Sequence, residues 1–290
     1  MSSTPPPEKR PHPLEVRPAP QSPPPRQQVT LRIPSVRPLV TYAILAVNIV
    51  VFVLRAASPE LDFNLLVWGA NSPREVLQQR EYYRLLTSMF LHSSIYDGAG
   101  NFAFANSLHL IFNAYVIYGV GAYLESVFGH LRFGLIYFLG GLAAGIVSNL
   151  LNTLSGNLDV YSVGASGAAF ALIGAEFVFL YHHRKLMRER ARARMQGLIA
   201  FGVINLLFGF ASSLGLGDIR VDNWAHLGGL AGGLILAWYI SPIFLLRRHP
   251  DIPGDFLGED VNPLRRKTWA LSAYVAGLLA LLILSVFLAA

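Results

Sequence analysis

Val163-Gly164-Ala165-Ser166-Gly167-Ala168-Ala169-Phe170-Ala171-Leu172-Ile173-Gly174-Ala175-Glu176-Phe177-Val178-Phe179-Leu180-Tyr181 is a nineteen-residue stretch with a single carboxylate. A bilayer core takes about 20 mostly apolar residues as helix, so this stretch reads as a membrane span. Six others accompany it: Leu39–Ala56, Phe104–Leu124, Phe133–Leu151, Gly197–Leu214, Trp224–Leu246 and Trp269–Ala289. The composition agrees. Hydrophobic residues make up 53% of the 290 and charged residues 14%, against roughly 25% charged in a soluble domain. A soluble enzyme, a disordered protein and a fibrous protein are excluded. The expected fold class is an all-α polytopic membrane protein.

Lys and Arg set the orientation. With the amino-terminal tail inside, 18 of the 23 fall in the tail, at Arg132, between Arg184 and Arg194, or between Arg247 and Lys267. The remaining five, Arg55, Arg74, Arg80, Arg84 and Arg220, lie outside. This asymmetry is the positive-inside bias of membrane proteins, and it puts the carboxy terminus outside. It also accounts for the net charge of +6 as loops facing anionic lipid, so no nucleic-acid partner is expected. There is no Cys, hence no disulfide framework, thiolate metal site or cysteine nucleophile.

Twelve of the 18 prolines fall in the first 38 residues. A disordered or partly polyproline-like cytoplasmic tail is expected over residues 1–37. No apolar run follows its early charges, so it does not read as a secretory leader. The loop after the first span is long and carries Trp68, Tyr82, Tyr83, Phe90 and Phe102. Short helices sunk partly in the interface are expected there.

Polar groups are costly in hydrocarbon, so each one inside a span is a candidate for function. They are His109, Asn113 and Glu125 on the second span, Ser166 and Glu176 on the fourth, and His226 on the sixth. All three spans enter from outside, and His109, Asn113, Ser166 and His226 lie near their outer starts. Asn113 follows His109 by four residues, which puts both on one helical face. Glu176 is too deep to share this level and reads as paired or protonated. Glu125 reads as a cap or anchor of the second span.

The four convergent groups are chemically complementary. A serine hydroxyl becomes a useful nucleophile beside a base, and histidine is the usual one. Donors must face the oxyanion of an acyl transition state. Ser166 stands in the first helical turn, where N–H groups have no intrahelical partner and the dipole favours negative charge. Gly229, Gly233 and Ala237 on the sixth span, and Gly167, Ala171 and Ala175 on the fourth, form smooth ridges for close helix approach.

At these residues the chain resembles the rhomboid intramembrane serine proteases. His109-Leu110-Ile111-Phe112-Asn113 is similar to the family's His-x-x-x-Asn. Gly121-Ala122-Tyr123-Leu124-Glu125 matches its Gly-x-x-x-Glu, and Gly164-Ala165-Ser166-Gly167 its nucleophile motif. Ala225-His226-Leu227-Gly228-Gly229 with Gly233 resembles the sixth-span motif, and Tyr83-Arg84 the aromatic-Arg pair of the first loop. One departure stands out. His92 and His109 are separated by Ser93 to Leu108, as though a segment were inserted before the second span.

The resemblance implies a six-helix rhomboid core over residues 38–246, a cytoplasmic linker over 247–267 and a seventh helix over 268–290. It implies that Ser166 attacks a peptide carbonyl with His226 as base, a dyad without a carboxylate. His109, Asn113 and the Ser166 N–H would hold the oxyanion. Phe170 falls where many members carry a Tyr that stacks on the histidine. The fifth span and the loop from Gly215 to Asn223 would form gate and lid. Substrates would be transmembrane helices of other proteins, in the plasma membrane and without metal or organic cofactor; oligomeric state is left open. Two rivals differ in class. A rhomboid-like pseudoenzyme would bind transmembrane clients without cutting, but such members usually lack the Ser or the His. A transporter would string His109, Glu125, Glu176 and His226 into a proton path, whereas four of the polar groups gather at one depth and no inverted repeat is evident.

Overall fold

The structure, a computed structural model, describes residues 30–97, 99–214, 221–252 and 254–290. In chain order its helices are α1 (Leu39–Arg55), α2 (Pro59–Gly69), α3 (Arg84–Thr87), α4 (Phe104–Val116), α5 (Ala122–Phe128) and α6 (His130–Leu154). They continue with α7 (Ser166–His182), α8 (Arg184–Met187), α9 (Glu189–Ser213), α10 (Asn223–Ile240) and α11 (Thr268–Ala289). A π-helical turn, Ile117–Gly121, joins α4 to α5 as one long element. Four described helices are long and apolar enough to cross a membrane: Ser107–Phe128, His130–Leu154, Glu189–Ser213 and Thr268–Ala289. Leu39–Arg55 and Ser166–His182 are apolar and shorter. The protein is a polytopic, mostly α-helical integral membrane protein.

The bundle is built around α7. Every residue from Gly167 to Glu176 is buried, as expected of a helix apolar on all sides. Lipid tails are as apolar as leucine, so helix association here depends on close packing rather than on escape from water. Small residues provide it. A methyl group at Gly229 would overlap the carbonyl oxygen of Gly167, and one at Gly233 the carbonyl oxygen of Ala171. The two ridges expected from the sequence therefore meet, with α10 against α7 backbone to backbone. Gly140 of α6 abuts Ala171, and Ala144 abuts Gly167, so α6 closes on another side of α7. The last helix, α11, packs on α6.

The carboxylates at the end of the bundle remote from Ser166 act as staples. Glu176 takes Nε and Nη2 of Arg194 at 2.6 and 3.0 Å, tying α7 to α9, in agreement with its reading as a paired group. Glu125 serves another helix than the one expected. It accepts the N–H groups of Val40 and Thr41 at 2.8 and 2.6 Å and the Thr41 hydroxyl at 2.6 Å, so it caps α1. The reason is local: α1 follows Pro38 and has no side-chain cap of its own, leaving its first amides to find an acceptor elsewhere.

Several span boundaries differ from those expected. The sixth span ends at Ile240 rather than Leu246, because Pro242 disfavours helix at Ser241 and offers no N–H. The fifth begins at Glu189, so much of the basic run is helical rather than loop. The third runs from His130 to Leu154. Beyond Ile240 the chain forms β2 (Phe244–Arg248) and β3 (Asp255–Asp260), joined by β1 (Thr30–Arg32) in a sheet of order β1-β3-β2. The tail expected to be disordered thus contributes a strand at its end; its residues 1–29 lie outside the described ones. Two contacts dock this small sheet: Arg132 donates to Asp260 at 2.8 Å, and the Phe244 N–H donates to His183 Nε2 at 2.9 Å.

The first loop contains the expected short helices. Ser58 caps α2, accepting the Leu61 N–H at 3.1 Å, with Pro59 at the first helical position. Arg84 is buried and donates from Nη1 to the carbonyls of Val67 and Ala70, closing the other end of α2. Tyr83 stacks on Trp68 with centroids 5.2 Å apart.

Candidate active site

Ser166 is the first residue of α7, preceded by Ala165 as its cap. The segment before it is strapped to the first loop. Asn71 and Ser162 exchange backbone hydrogen bonds at 3.0 and 2.8 Å, and the Gly164 N–H donates to Ser88 at 2.9 Å. Asn71 and Asn149 exchange side-chain bonds at 3.0 and 2.9 Å, adding α6 to the anchorage. Gly164 has φ +125°, a conformation that favours glycine. A Cβ there would also stand 2.8 Å from both Cε1 and Nε2 of His109 and 3.5 Å from Asn113 Nδ2. The imidazole edge and the amide expected to act together therefore converge on the backbone two residues before Ser166.

Asn113 is buried and its amide donates to the His109 carbonyl at 3.0 Å, one turn earlier. Before α4 stands the segment that reads as an insertion. It carries a bridge between Tyr96 and Phe102 and an Asp97 carboxylate that accepts the N–H groups of Ala99 and Asn101 at 2.9 and 2.8 Å. Those N–H groups hold the Asp97 carboxyl below the usual range. His92 is buried with its ring edge-on to His109, centroids 5.2 Å apart. Burial, followed by the proximity of His109 and Arg55, pushes His92 well below the ordinary histidine range, so it stays neutral.

His226 sits in the first turns of α10. Asp222 caps this helix, accepting the Ala225 N–H at 2.9 Å with one oxygen and the Ser148 hydroxyl at 2.5 Å with the other. The carboxylate nearest in sequence is thus engaged elsewhere, and His226 Nδ1 is buried without a hydrogen-bond partner. The imidazole is held by Phe170, one turn after Ser166, in a stack with centroids 4.3 Å apart and planes 11° from parallel. Gly229 touching Gly167 fixes the same approach from the backbone side. No hydrogen bond joins Ser166 to His226 among the described residues; such bonds often close only with substrate bound.

His109 and Asn113 meet at Gly164, Ser166 opens α7 and His226 stacks on Phe170 one turn beyond it, while the groups that support them did not stand out in the sequence. Asn71, Asn149, Ser148 and Asp222 lie in ordinary-looking loops and helix ends, and only their pairings across the fold reveal them. Arg55 and Asp62, a buried ion pair at 2.6 Å with side chains 1% exposed, belong with them. The signal for that pair was available as a charge ending the first span, seven residues before a carboxylate in α2. Of the loop from Gly215 to Asn223, residues 215–220 lie outside the described ones.

A serine at a helix start, a histidine stacked on Phe170 on a helix in backbone contact, and the His109 ring edge and Asn113 amide at Gly164 make up the candidate site. The Rhomboid domain model matches residues 79–243. The chain belongs to the rhomboid family. It is 32% identical over 204 residues to the rhomboid protease GluP of Bacillus subtilis (strain 168), covering 69% of this chain and 34% of that protein. It is 33% identical over 186 residues to RHOMBOID-like protein 7 of Arabidopsis thaliana, covering 64% of this chain and 48% of the relative. With rhomboid-like protease 1 of Toxoplasma gondii it shares 33% identity over 173 residues, 59% of this chain and 51% of the relative. The chain thus spans between about a third and a half of these proteins' lengths.

Proposed function

We propose that this protein is an intramembrane serine endopeptidase that cleaves transmembrane helices of other proteins near their outer ends. The observation that carries this reading is the stacking of His226 on Phe170, one turn from Ser166, with Gly229 against Gly167. In the reaction, His226 takes the Ser166 proton as the hydroxyl oxygen attacks the scissile carbonyl, and later returns it to the leaving amine. The Ser166 N–H, His109 and Asn113 stabilise the oxyanion. With Asp222 committed to its cap and to Ser148, the base works without a carboxylate partner.

Seven helices would span the plasma membrane in a six-plus-one arrangement. The tail, the sheet and the basic start of α9 would face the cytoplasm, and the Ser166 end the outside. Substrate would gain access past α9, whose residues are largely exposed, with Ala191, Leu198, Gly202, Gly209 and Ser212 the buried ones. The test is incubation of the purified full chain in lipid vesicles with a transmembrane test substrate, beside Ser166→Ala and His226→Ala, with products read by mass. Cleavage by the wild type alone supports the proposal. Equal cleavage by either variant refutes the dyad, and binding without cleavage by all three would assign the chain to the non-cutting class.

A further inference from the structure

The segment between His92 and His109 carries a chain of contacts that ends on one imidazole nitrogen. Arg55, at the end of α1, pairs with Asp62 of α2 and donates from Nη1 to the His92 carbonyl at 2.7 Å and from Nη2 to the Ser93 carbonyl at 3.3 Å. The Ser94 hydroxyl donates to the same Asp62 carboxylate at 2.6 Å. A buried ion pair thus grips the backbone on either side of Ser93. From this fixed position the Ser93 N–H donates to His109 Nδ1 at 3.4 Å, and the Ser93 hydroxyl lies 3.0 Å from the same atom.

A backbone N–H donates and cannot accept. That N–H faces Nδ1 from 3.4 Å, and the nearer hydroxyl at 3.0 Å acts in the same sense when it donates to Nδ1, leaving that atom bare and the single proton of a neutral imidazole on Nε2. The Cε1–Nε2 edge is the one that faces Gly164. We infer that Ser93 is a positioning residue that fixes the His109 tautomer, so that a neutral Nε2–H is aimed at the place where the oxyanion forms. This deepens the proposed function and rests on it. The opposite tautomer would present a lone pair to the developing negative charge and repel it. His92, edge-on against the ring, limits rotation that would exchange the two nitrogens.

Nitrogen NMR of the detergent-solubilised full chain labelled in histidine, with His109 assigned by its loss in His109→Gln, reads the tautomer without reference to catalysis. The wild type should show His109 protonated at Nε2 and bare at Nδ1. Ser93→Ala removes the nearer hydroxyl and keeps only the long N–H contact, so the proton should spread over both nitrogens and kcat should fall about 10-fold, less than the roughly 10²–10³ lost when an oxyanion donor is removed outright. KM should stay as it was, and Ser93→Thr should recover most of kcat and the wild-type spectrum. A wild-type His109 protonated at Nδ1 overturns the inference, as does a Ser93→Ala protein with unchanged spectrum and kcat. If Ser166→Ala still cleaves, the proposed function fails, and the spectrum alone then decides the role of Ser93.

Discussion

The ring of Phe170 lies flat on the imidazole of His226, with 4.3 Å between centroids. Because His226 Nδ1 has no hydrogen-bond partner, this stack is what orients the proposed base. Aromatic pairs of this kind contribute about 0.5–1.5 kcal/mol beyond their buried area. Phe170→Leu should therefore lower kcat by about 2- to 10-fold with little change in KM, since each 1.36 kcal/mol is tenfold in rate. Phe170→Tyr keeps the ring and should stay near wild type. Steady-state cleavage of a transmembrane substrate measures both, and a fully active Phe170→Leu protein would mean that the base is oriented by something other than this ring.

Glu125 offers a stability experiment remote from the chemistry. Its carboxylate accepts three hydrogen bonds from Val40 and Thr41 at the start of α1 and touches His130. A glutamine keeps one acceptor oxygen and turns an NH2 toward donors. Hydrogen bonds to a charged group are worth about 1.5–3 kcal/mol each. Glu125→Gln should lower the melting temperature in detergent while preserving cleavage per folded molecule, because Glu125 and Ser166 lie at opposite ends of the bundle. Unchanged melting would show that α1 does not depend on this cap.

The residues that carried meaning in the sequence did so by expense or by smoothness. Ser166, His109, Asn113 and His226 stood out because polar groups in apolar runs demand a reason. Gly229 and Gly233 stood out by their spacing. What stayed illegible depended on partners far apart in the chain. Glu125 is an acid at a helix end, and only the fold reveals that it caps α1, 84 residues away at Thr41. Strands β2 and β3 were hidden because Phe244 to Leu246 continue an apolar run that reads as helix, while Pro242 ended it earlier than hydropathy suggests. Ser93 looked like filler in an insertion, since its importance lies in which nitrogen it meets.

Asn223 bears on access to the site. Its amide donates to the Leu206 carbonyl of α9 at 3.1 Å, and its side chain fills a notch over Gly209 so closely that a Cβ there would overlap it. The Val221 N–H adds a bond to Ser212 at 3.2 Å. If substrate passes α9, these contacts hold that helix closed. Removing one hydrogen bond of about 1 kcal/mol by Asn223→Ala should raise kcat/KM for a transmembrane-helix substrate about fivefold and lower thermal stability. Competition assays in vesicles measure the ratio directly. A decrease in kcat/KM, with α10 still folded by circular dichroism, would place access elsewhere.

Gly233 separates packing from chemistry. It lies two turns beyond His226, where a methyl group would overlap the carbonyl of Ala171 and crowd its Cα. The obstacle is backbone, so no side-chain rotation can relieve it, and α10 must move away from α7. Overpacking of this kind costs about 1–3 kcal/mol, and a shift of about 1 Å at the reacting groups can cost 10²-fold in rate. Gly233→Val should therefore lower both the melting temperature and kcat, whereas Ser166→Ala should abolish cleavage with melting unchanged. Gly233→Ala should fall between, since its single methyl meets the same carbonyl but adds no branch. The three variants are compared in one detergent by thermal melting and by cleavage of one substrate. Wild-type melting and turnover in Gly233→Val would mean that the α7–α10 contact does not hold His226 beside Ser166, and the dyad geometry would have to be sought in another helix arrangement.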